Sequence, residues 1–180
     1  PKGVSIRHRS LSNLLGAMAR RLYIKASDTL MAVTTLAFDI AALEIFLPLI
    51  SGARLLLASD EIIRDSYQLI AHLDAFGVDI MQATPATWRL LFNAGWSGQS
   101  GLKILCGGEA LDLELAKRLM NCGEEVWNVY GPTETTIWSG ALALSAEQLA
   151  PGAVPMGHPL DNTQFYVLDQ QQQPVPVGVA

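Results

Sequence analysis

Apolar and polar positions along this chain fall into blocks whose period changes from element to element. Leu14, Leu15, Met18, Ala19 and Leu22 recur at helical spacing and predict a helix over 10–22, with Ser12 in a capping position. The run TLMAVTTL predicts a strand over 29–36. A helix is predicted over 40–50, with Gly52 behind it as a stop and Pro48 straining its last turn. ARLLLA, 53–58, reads as a continuous apolar strand. Next are a helix over 67–76 closed by Gly77, a strand over 78–83 and a helix over 85–93 opened by Pro85. Then come a strand over 102–106, a helix over 113–121 ended by Gly123, and a strand over 125–130.

After Ile137 the pattern changes: 138–144 and 163–168 read as strands with no helix between them, joined by a Pro/Gly-rich stretch from 151 to 159. Near-continuous apolar strands alternating with amphipathic helices from 29 to 130 imply an α/β fold, a parallel sheet covered by helices on both faces, with extra β strands at the C-terminal end. The division expected is an α/β subdomain over 1–144 and the start of a β subdomain over 145–180.

Half of the 180 residues are apolar and the mean hydropathy is +0.27, enough for a substantial core. The formal charge of −5 and the absence of a concentrated basic face argue against nucleic acid as a partner. The most apolar stretch, AALEIFLPLISGARLLLAS, is broken by Glu44, Pro48, Gly52 and Arg54; a span needs roughly 20 uninterrupted apolar residues, so no membrane segment is predicted. Cys106 and Cys122 have no metal-ligand or CxxC spacing and read as reduced thiols, which fits a cytoplasmic setting. His8, His72 and His158 share no motif. Both ends, PKG and PVPVGVA, look like cuts through a longer polypeptide.

In open parallel sheets, ligands gather outside the carboxyl ends of the strands. The loops predicted there are LAFD, QATP, GGEAL and YGPTETT. Asp39 in LAFD is either a helix cap or a carboxylate that meets a cation in an apolar pocket. Gly107 and Gly108 either make a tight turn or let a ligand approach the backbone. In YGPTE, Tyr130 offers a flat face at a strand end, Gly131 and Pro132 turn the chain, and Thr133 and Glu134 come next. A hydroxyl beside a carboxylate suits phosphate and Mg²⁺; a plain loop with a Thr cap is the alternative.

FD at 38–39, GGEAL at 107–111, NVYGPTETT at 128–136 and GHPLDNTQFYVLD at 157–169, with the opening PKG, resemble the adenylation domains of non-ribosomal peptide synthetases. The order and spacing match along the whole chain, which resembles the central flavodoxin-like subdomain of that fold. Such domains join an amino acid to ATP as an aminoacyl-adenylate. They then load it on the phosphopantetheine of a carrier protein, beside condensation domains.

The resemblance implies that Asp39 pairs with the substrate α-ammonium, Tyr130 stacks on adenine and Asn128 reads its amino edge. Gly107 and Gly108 would line substrate and base, Thr133 would contact phosphate, and Glu134 would hold Mg²⁺. The phosphate-loop residues before Lys2, a downstream ribose-gripping Asp and a distant Lys are missing from these 180 residues. The chain alone is therefore expected to give no measurable ATP–pyrophosphate exchange; exchange near the level of a complete domain would refute this.

The same resemblance places the side-chain pocket at Asp39, Ile40, Leu43, Gln82, Leu105, Gly107, Val129, Ile137 and Trp138, with Gly131 beside the substrate. The set resembles that of glycine-activating domains. Bulky apolar groups would fill the space a side chain needs, with Gln82 fixing the packing or holding a water; Trp138 as plain core is the alternative. Glycine is expected first and alanine as the leak, because one methyl is hard to exclude. An acyl- or aryl-acid ligase is the rival reading, but its substrate would leave Asp39 an unpaired buried charge. A non-catalytic flavodoxin-like module would need a phosphate-cradling first loop, which LAFD does not supply.

Overall fold

The computed structural model describes residues 3–149, 153–176 and 178. Five parallel strands form the centre: β1 (Thr29–Ala32), β2 (Arg54–Leu57), β3 (Ile80–Ala83), β4 (Lys103–Gly107) and β5 (Glu125–Tyr130). Two antiparallel strands, β6 (Gly140–Ala143) and β7 (His158–Pro159), extend the sheet, giving the order β2-β1-β3-β4-β5-β6-β7. The helices are α1 (His8–Leu22), α2 (Ile40–Ile50), α3 (Asp60–Arg64), α4 (Ser66–Phe76), α5 (Pro85–Asn93) and α6 (Leu113–Met120). The predicted parallel sheet with added β strands is borne out.

Strands β1, β3, β4 and β5 read as uniformly apolar because each feeds two cores, whereas β2, at the sheet edge, leaves Arg54 and Leu57 exposed. Met31, Met81, Ile104, Cys106 and Val126 join the cluster that includes Leu69, Leu73, Trp88, Leu91 and Leu119 of α4, α5 and α6. Their neighbours Leu30, Ile80, Leu105, Trp127 and Val129 join the cluster of α1 and α2, with Met18, Leu22, Leu43 and Leu47. The helices thus cover both faces. Among the described residues, no helix is long and apolar enough to cross a membrane.

Local boundaries reflect identifiable chemistry. Thr84 accepts from Thr87 N–H ahead of Pro85, and Gly77 closes α4 in the left-handed region at φ 56°, as expected from the sequence. Helix α1 starts earlier than the pattern implies, at His8, and Arg7 rather than Ser12 holds the cap position. The first strand ends at Ala32, not at 36, because Val33 and Thr34 N–H donate to a side chain instead of a sheet ladder. Helix α3 is not expected from periodicity: five residues are too few to show a period, though Ser59 with Asp60 and Glu61 is an N-terminal signal.

Gly123 does not stop α6, which ends three residues earlier. A Cβ there would lie 2.6 Å from the Leu102 carbonyl oxygen, so packing demands the glycine. The strand predicted over 163–168 is also corrected. Among the described residues that segment pairs through one bridge, Leu168 with Pro174, while Phe165, Tyr166, Val167 and Leu168 stay exposed. The Pro/Gly-rich stretch instead contributes β7.

Cys106 is fully buried and Cys122 half-buried, and neither is bonded to the other. Burial pushes the Cys106 thiol up to about 12, helped by Glu109 and Asp112, and raises Cys122 as well. At pH 8 the Cys106 thiolate is therefore only about one part in ten thousand of the total. Iodoacetamide should modify Cys122 first and leave Cys106 unmodified until the chain unfolds; mass spectrometry of labelled peptides checks this.

Candidate active site

The order β2-β1-β3-β4-β5 reverses direction between β1 and β3, and the crevice at such a switch point is where ligands bind in open α/β sheets. A cleft of about 320 Å³ lies there. Val33, Thr34, Thr35, Phe38 and Ile40 enter it from the chain after β1, Gln82, Ala83 and Thr84 from β3, and Gly107 and Gly108 from β4. Trp138 is a further wall, and the cleft opens past the exposed Thr35, Phe38 and Glu109.

Two further cavities adjoin this cleft through shared or consecutive residues. One, about 340 Å³, shares Gly108, Glu109 and Trp138 with it and adds Asn128, Tyr130, Gly131, Val154 and Met156. Asn128 is buried, and its amide nitrogen donates to Pro155 O at 2.8 Å, leaving the amide oxygen as an acceptor. Tyr130 is half-exposed, so its ring is available for stacking. The other, about 170 Å³, is lined by Asp39, Thr133, Thr136 and Ile137 together with Ile6, Arg7, His8, Leu11 and Ala42. Asp39–Ile40 and Ile137–Trp138 are consecutive pairs that put one residue in this cavity and the next in the cleft.

Asp39 does not cap α2. It has right-handed helical backbone angles, and its side chain makes no capping bond; no ion pair to it occurs among the described residues. The capping alternative is therefore set aside. The geometry offers instead a carboxylate in a largely apolar recess.

The turn after β5 is unusual. Thr133–Thr135 form one 3-10 turn; Thr136 (φ 72°) and Ile137 (φ 64°) then both take positive φ, an uncommon state for a β-branched residue. Trp138 N–H donates to Thr136 O at 2.7 Å across Ile137, the pattern of the strained γ-turn. Ser139 N–H returns to Tyr130 O at 2.7 Å. Gly131 is required here, since a Cβ would sit 2.5 Å from Ile137 O and 2.6 Å from Ser139 N. This fold-back carries Trp138 beneath the end of β4. Thr133 and Glu134 stay exposed on it, and Glu134 faces a cavity of about 510 Å³ with Arg9, Ser10 and Asn13 rather than the one beside Tyr130.

Trp138 is held on two sides. Its indole Nε1–H donates to Gln82 Oε1 at 2.8 Å. Gly107 leaves space for its ring, for an added Cβ would lie 2.8 Å from Trp138 Cη2 and 2.5 Å from Val129 O. Of the two roles open to Gln82, packing is the one observed. Gly107→Ala is expected to destabilise the protein by about 1–3 kcal/mol through overpacking, measured as a fall in urea midpoint. Gly108, by contrast, has φ 84° and open neighbours, the conformation that lets its backbone face both cavities.

One residue of the site is not singled out by any motif. Glu44 is completely buried in α2. Its Oε2 accepts from Val33 N–H and Thr34 N–H, both at 2.9 Å, and its Oε1 from Thr34 Oγ1 at 2.5 Å and Gln82 Nε2 at 3.0 Å. Burial pushes its carboxyl above the usual range, while the four donors pull the other way. A lone acid in the otherwise apolar IAALEIFLPLI is the signal that points to it.

Ile40, Gln82, Gly107 and Trp138 therefore meet at the cleft, and Asp39 and Ile137 at the recess beside it. Leu43, Leu105 and Val129 do not line the cleft. They are buried in one cluster with Ile137 and Trp138, and Val129 also lines the cavity beside Tyr130. Lys2 lies outside the described residues. No cluster of three or more His, Cys, Asp or Glu that could hold a metal ion occurs among the described residues.

The family model of AMP-binding enzymes matches residues 1–180. This chain belongs to the AMP-binding enzyme family. Family members similar to it include the dimodular nonribosomal peptide synthase of Bacillus subtilis (strain 168), 48% identical over 179 residues, which cover 99% of this chain and 7% of that one. A PKS-NRPS hybrid synthetase of Aspergillus niger is 41% identical over 180 residues, 99% of this chain and 9% of the relative. A four-domain nonribosomal peptide synthetase, solved in its holo form bound to AMP and glycine, matches with a TM-score of 0.93 and 46% identity over 98% of this chain and 13% of that one. The chain thus spans less than a tenth of the length of these two curated relatives. The resemblance drawn from the sequence motifs is borne out at the level of the family.

Proposed function

We propose that this chain is the central part of an amino-acid-activating adenylation domain in a non-ribosomal peptide synthetase, with glycine as its preferred substrate and alanine as the main competitor. The products are glycyl-adenylate and pyrophosphate; the glycyl group then passes to the phosphopantetheine thiol of a carrier protein, with condensation domains in the same assembly line. Residues 1–144 supply the substrate and nucleotide subdomain, and 145–180 begin the next. The observation that carries the reading is the position of Trp138. Its indole, pinned by Gln82 and seated on Gly107, closes the inner wall of the switch-point cleft. The 46%-identical synthetase bound to AMP and glycine supports the same reading.

The residues present fit the nucleotide. The half-exposed Tyr130 ring, the free amide oxygen of buried Asn128 and the open backbone of Gly108 line one cavity suited to a flat base bearing an exocyclic amine. Thr133, at the Asp39 recess, and Glu134, at the cavity with Arg9, present an exposed hydroxyl and carboxylate, and Mg²⁺ takes few protein ligands, relying on phosphate oxygens and water. When bound, Mg²⁺ would neutralise charge on the departing pyrophosphate. The protein's own contribution is positional: Asp39 orients the ammonium, and the Trp138 wall limits the room beyond Cα. The acyl- or aryl-acid ligase reading gains nothing from Asp39, because a substrate without an ammonium group would bring that carboxylate no counter-charge.

Pyrophosphate exchange by the complete domain, run against all proteinogenic amino acids, tests the proposal. Glycine should lead, with alanine weaker by roughly 10- to 200-fold, the range that one methylene commonly decides. A leading amino acid larger than alanine, or activation of an acid lacking an ammonium group, would overturn it.

A further inference from the structure

Glu44 touches neither cavity that the proposed function assigns to substrate or nucleotide, yet it is the hub of the polar network behind the cleft. Four donors converge on its two oxygens, filling the capacity of an ionised carboxylate. Two are backbone N–H groups that end β1 and set the direction of the Thr34–Asp39 loop. A third is the Thr34 hydroxyl. The fourth is the amide of Gln82, whose other end receives the Trp138 indole.

The orientation of Gln82 is thus fixed from both sides. Indole N–H is only a donor, so the Gln82 oxygen must face Trp138. The Gln82 amide nitrogen must then face an acceptor, and Glu44 Oε1 is that acceptor. We propose that Glu44 is a specificity-positioning residue: through Gln82 it holds the Trp138 indole against the cleft and so sets the discrimination between glycine and larger amino acids. The inference rests on the glycine reading of the same cleft and adds to it a residue that never meets the substrate.

Glu44→Gln isolates this role because it keeps volume and removes one acceptor. The two backbone N–H groups cannot turn, so the new amide oxygen must serve them. The new NH₂ then faces Thr34 and Gln82. Gln82 can satisfy it only by rotating its amide, which turns its NH₂ toward the indole N–H, donor against donor. The indole loses its tether.

The test is a double-mutant cycle in the complete domain with Glu44→Gln and Trp138→Phe, reading the ratio of kcat/KM for glycine to that for alanine. Glu44→Gln should lower the ratio by roughly tenfold, the effect of one buried hydrogen bond. Because Phe at 138 has no N–H to orient, adding Glu44→Gln to Trp138→Phe should change the ratio no further. An unchanged ratio in the single variant, or an equal fall in both backgrounds, would overturn the proposal and leave Glu44 an anchor of the loop alone.

If Glu44→Gln does not accumulate folded, Glu44→Asp keeps the charge but draws the carboxylate back from the Gln82 amide, and the same cycle with Trp138→Phe decides. If the unaltered domain prefers another amino acid, the glycine reading fails. The cycle is then read on the ratio of that amino acid to its next larger homologue, where coupling or its absence still decides the role of Glu44.

Discussion

Trp138→Ser in the complete domain should admit amino acids that the unaltered protein rejects. Serine, alanine and 2-aminobutyrate should gain in pyrophosphate exchange, and the preference for glycine over alanine should shrink to about threefold or less, below what a filled pocket provides. The indole is 3% exposed, bonded to Gln82 and packed in the core with Leu43, Leu105 and Val129. Removing it opens a void where an incoming side chain would go. The same change should destabilise the domain by about 3–5 kcal/mol, as large-to-small core substitutions do, visible as a lower Tm. An added larger substrate should recover part of that Tm by filling the void. A variant with lower Tm but an unchanged glycine preference would show that Trp138 is core packing and not a selectivity wall.

The sheet is legible in the sequence because its signals are local and repeated. Apolar strands bounded by Gly, Pro and capping residues recur five times up to Tyr130, and Thr84–Pro85 and Gly77 mark element ends by chemistry that acts within a turn. Features decided by distant partners are not legible. β1 is short because Glu44, on the next helix, takes two of the N–H groups just beyond it. Gly123 is demanded by packing against Leu102 and not by the end of a helix.

The site divides in the same way. The loops that would carry it are readable, since parallel strands must put their carboxyl ends on one edge. The manner in which those residues cooperate is not. Ile40, Gln82, Gly107 and Trp138 share a cleft, whereas Leu43, Leu105 and Val129 are buried with Trp138 in the core and do not line it. The left-handed pair Thr136–Ile137 that swings Trp138 into place leaves no compositional trace, because neither residue type favours positive φ. Nor could spacing reveal that Gln82 is clamped between an indole and a buried acid 38 positions away.

Asp39→Asn should separate recognition from stability most sharply. The two side chains have nearly the same shape, and Asp39 makes no side-chain cap to α2 and no ion pair among the described residues. The folded protein therefore loses no internal partner, and Tm should stay within about 1–2 °C of the parent, as for substitutions away from stabilising contacts. Catalysis should respond quite differently. The recess that Asp39 shares with Ile6, Arg7, His8, Leu11, Ala42 and Ile137 has no other carboxylate in its lining, so an ammonium entering it depends on Asp39 for its counter-charge. Losing a hydrogen bond to a charged group removes about 1.5–3 kcal/mol, and kcat/KM for glycine should fall about 10- to 150-fold. The loss should be shared by glycine and alanine, since both present the same ammonium, and the ratio between them should stay put. That outcome is the reverse of Trp138→Ser, where the ratio moves. A variant that keeps kcat/KM within about twofold of the parent would remove Asp39 from substrate binding and reopen the case for an acid substrate without an amino group.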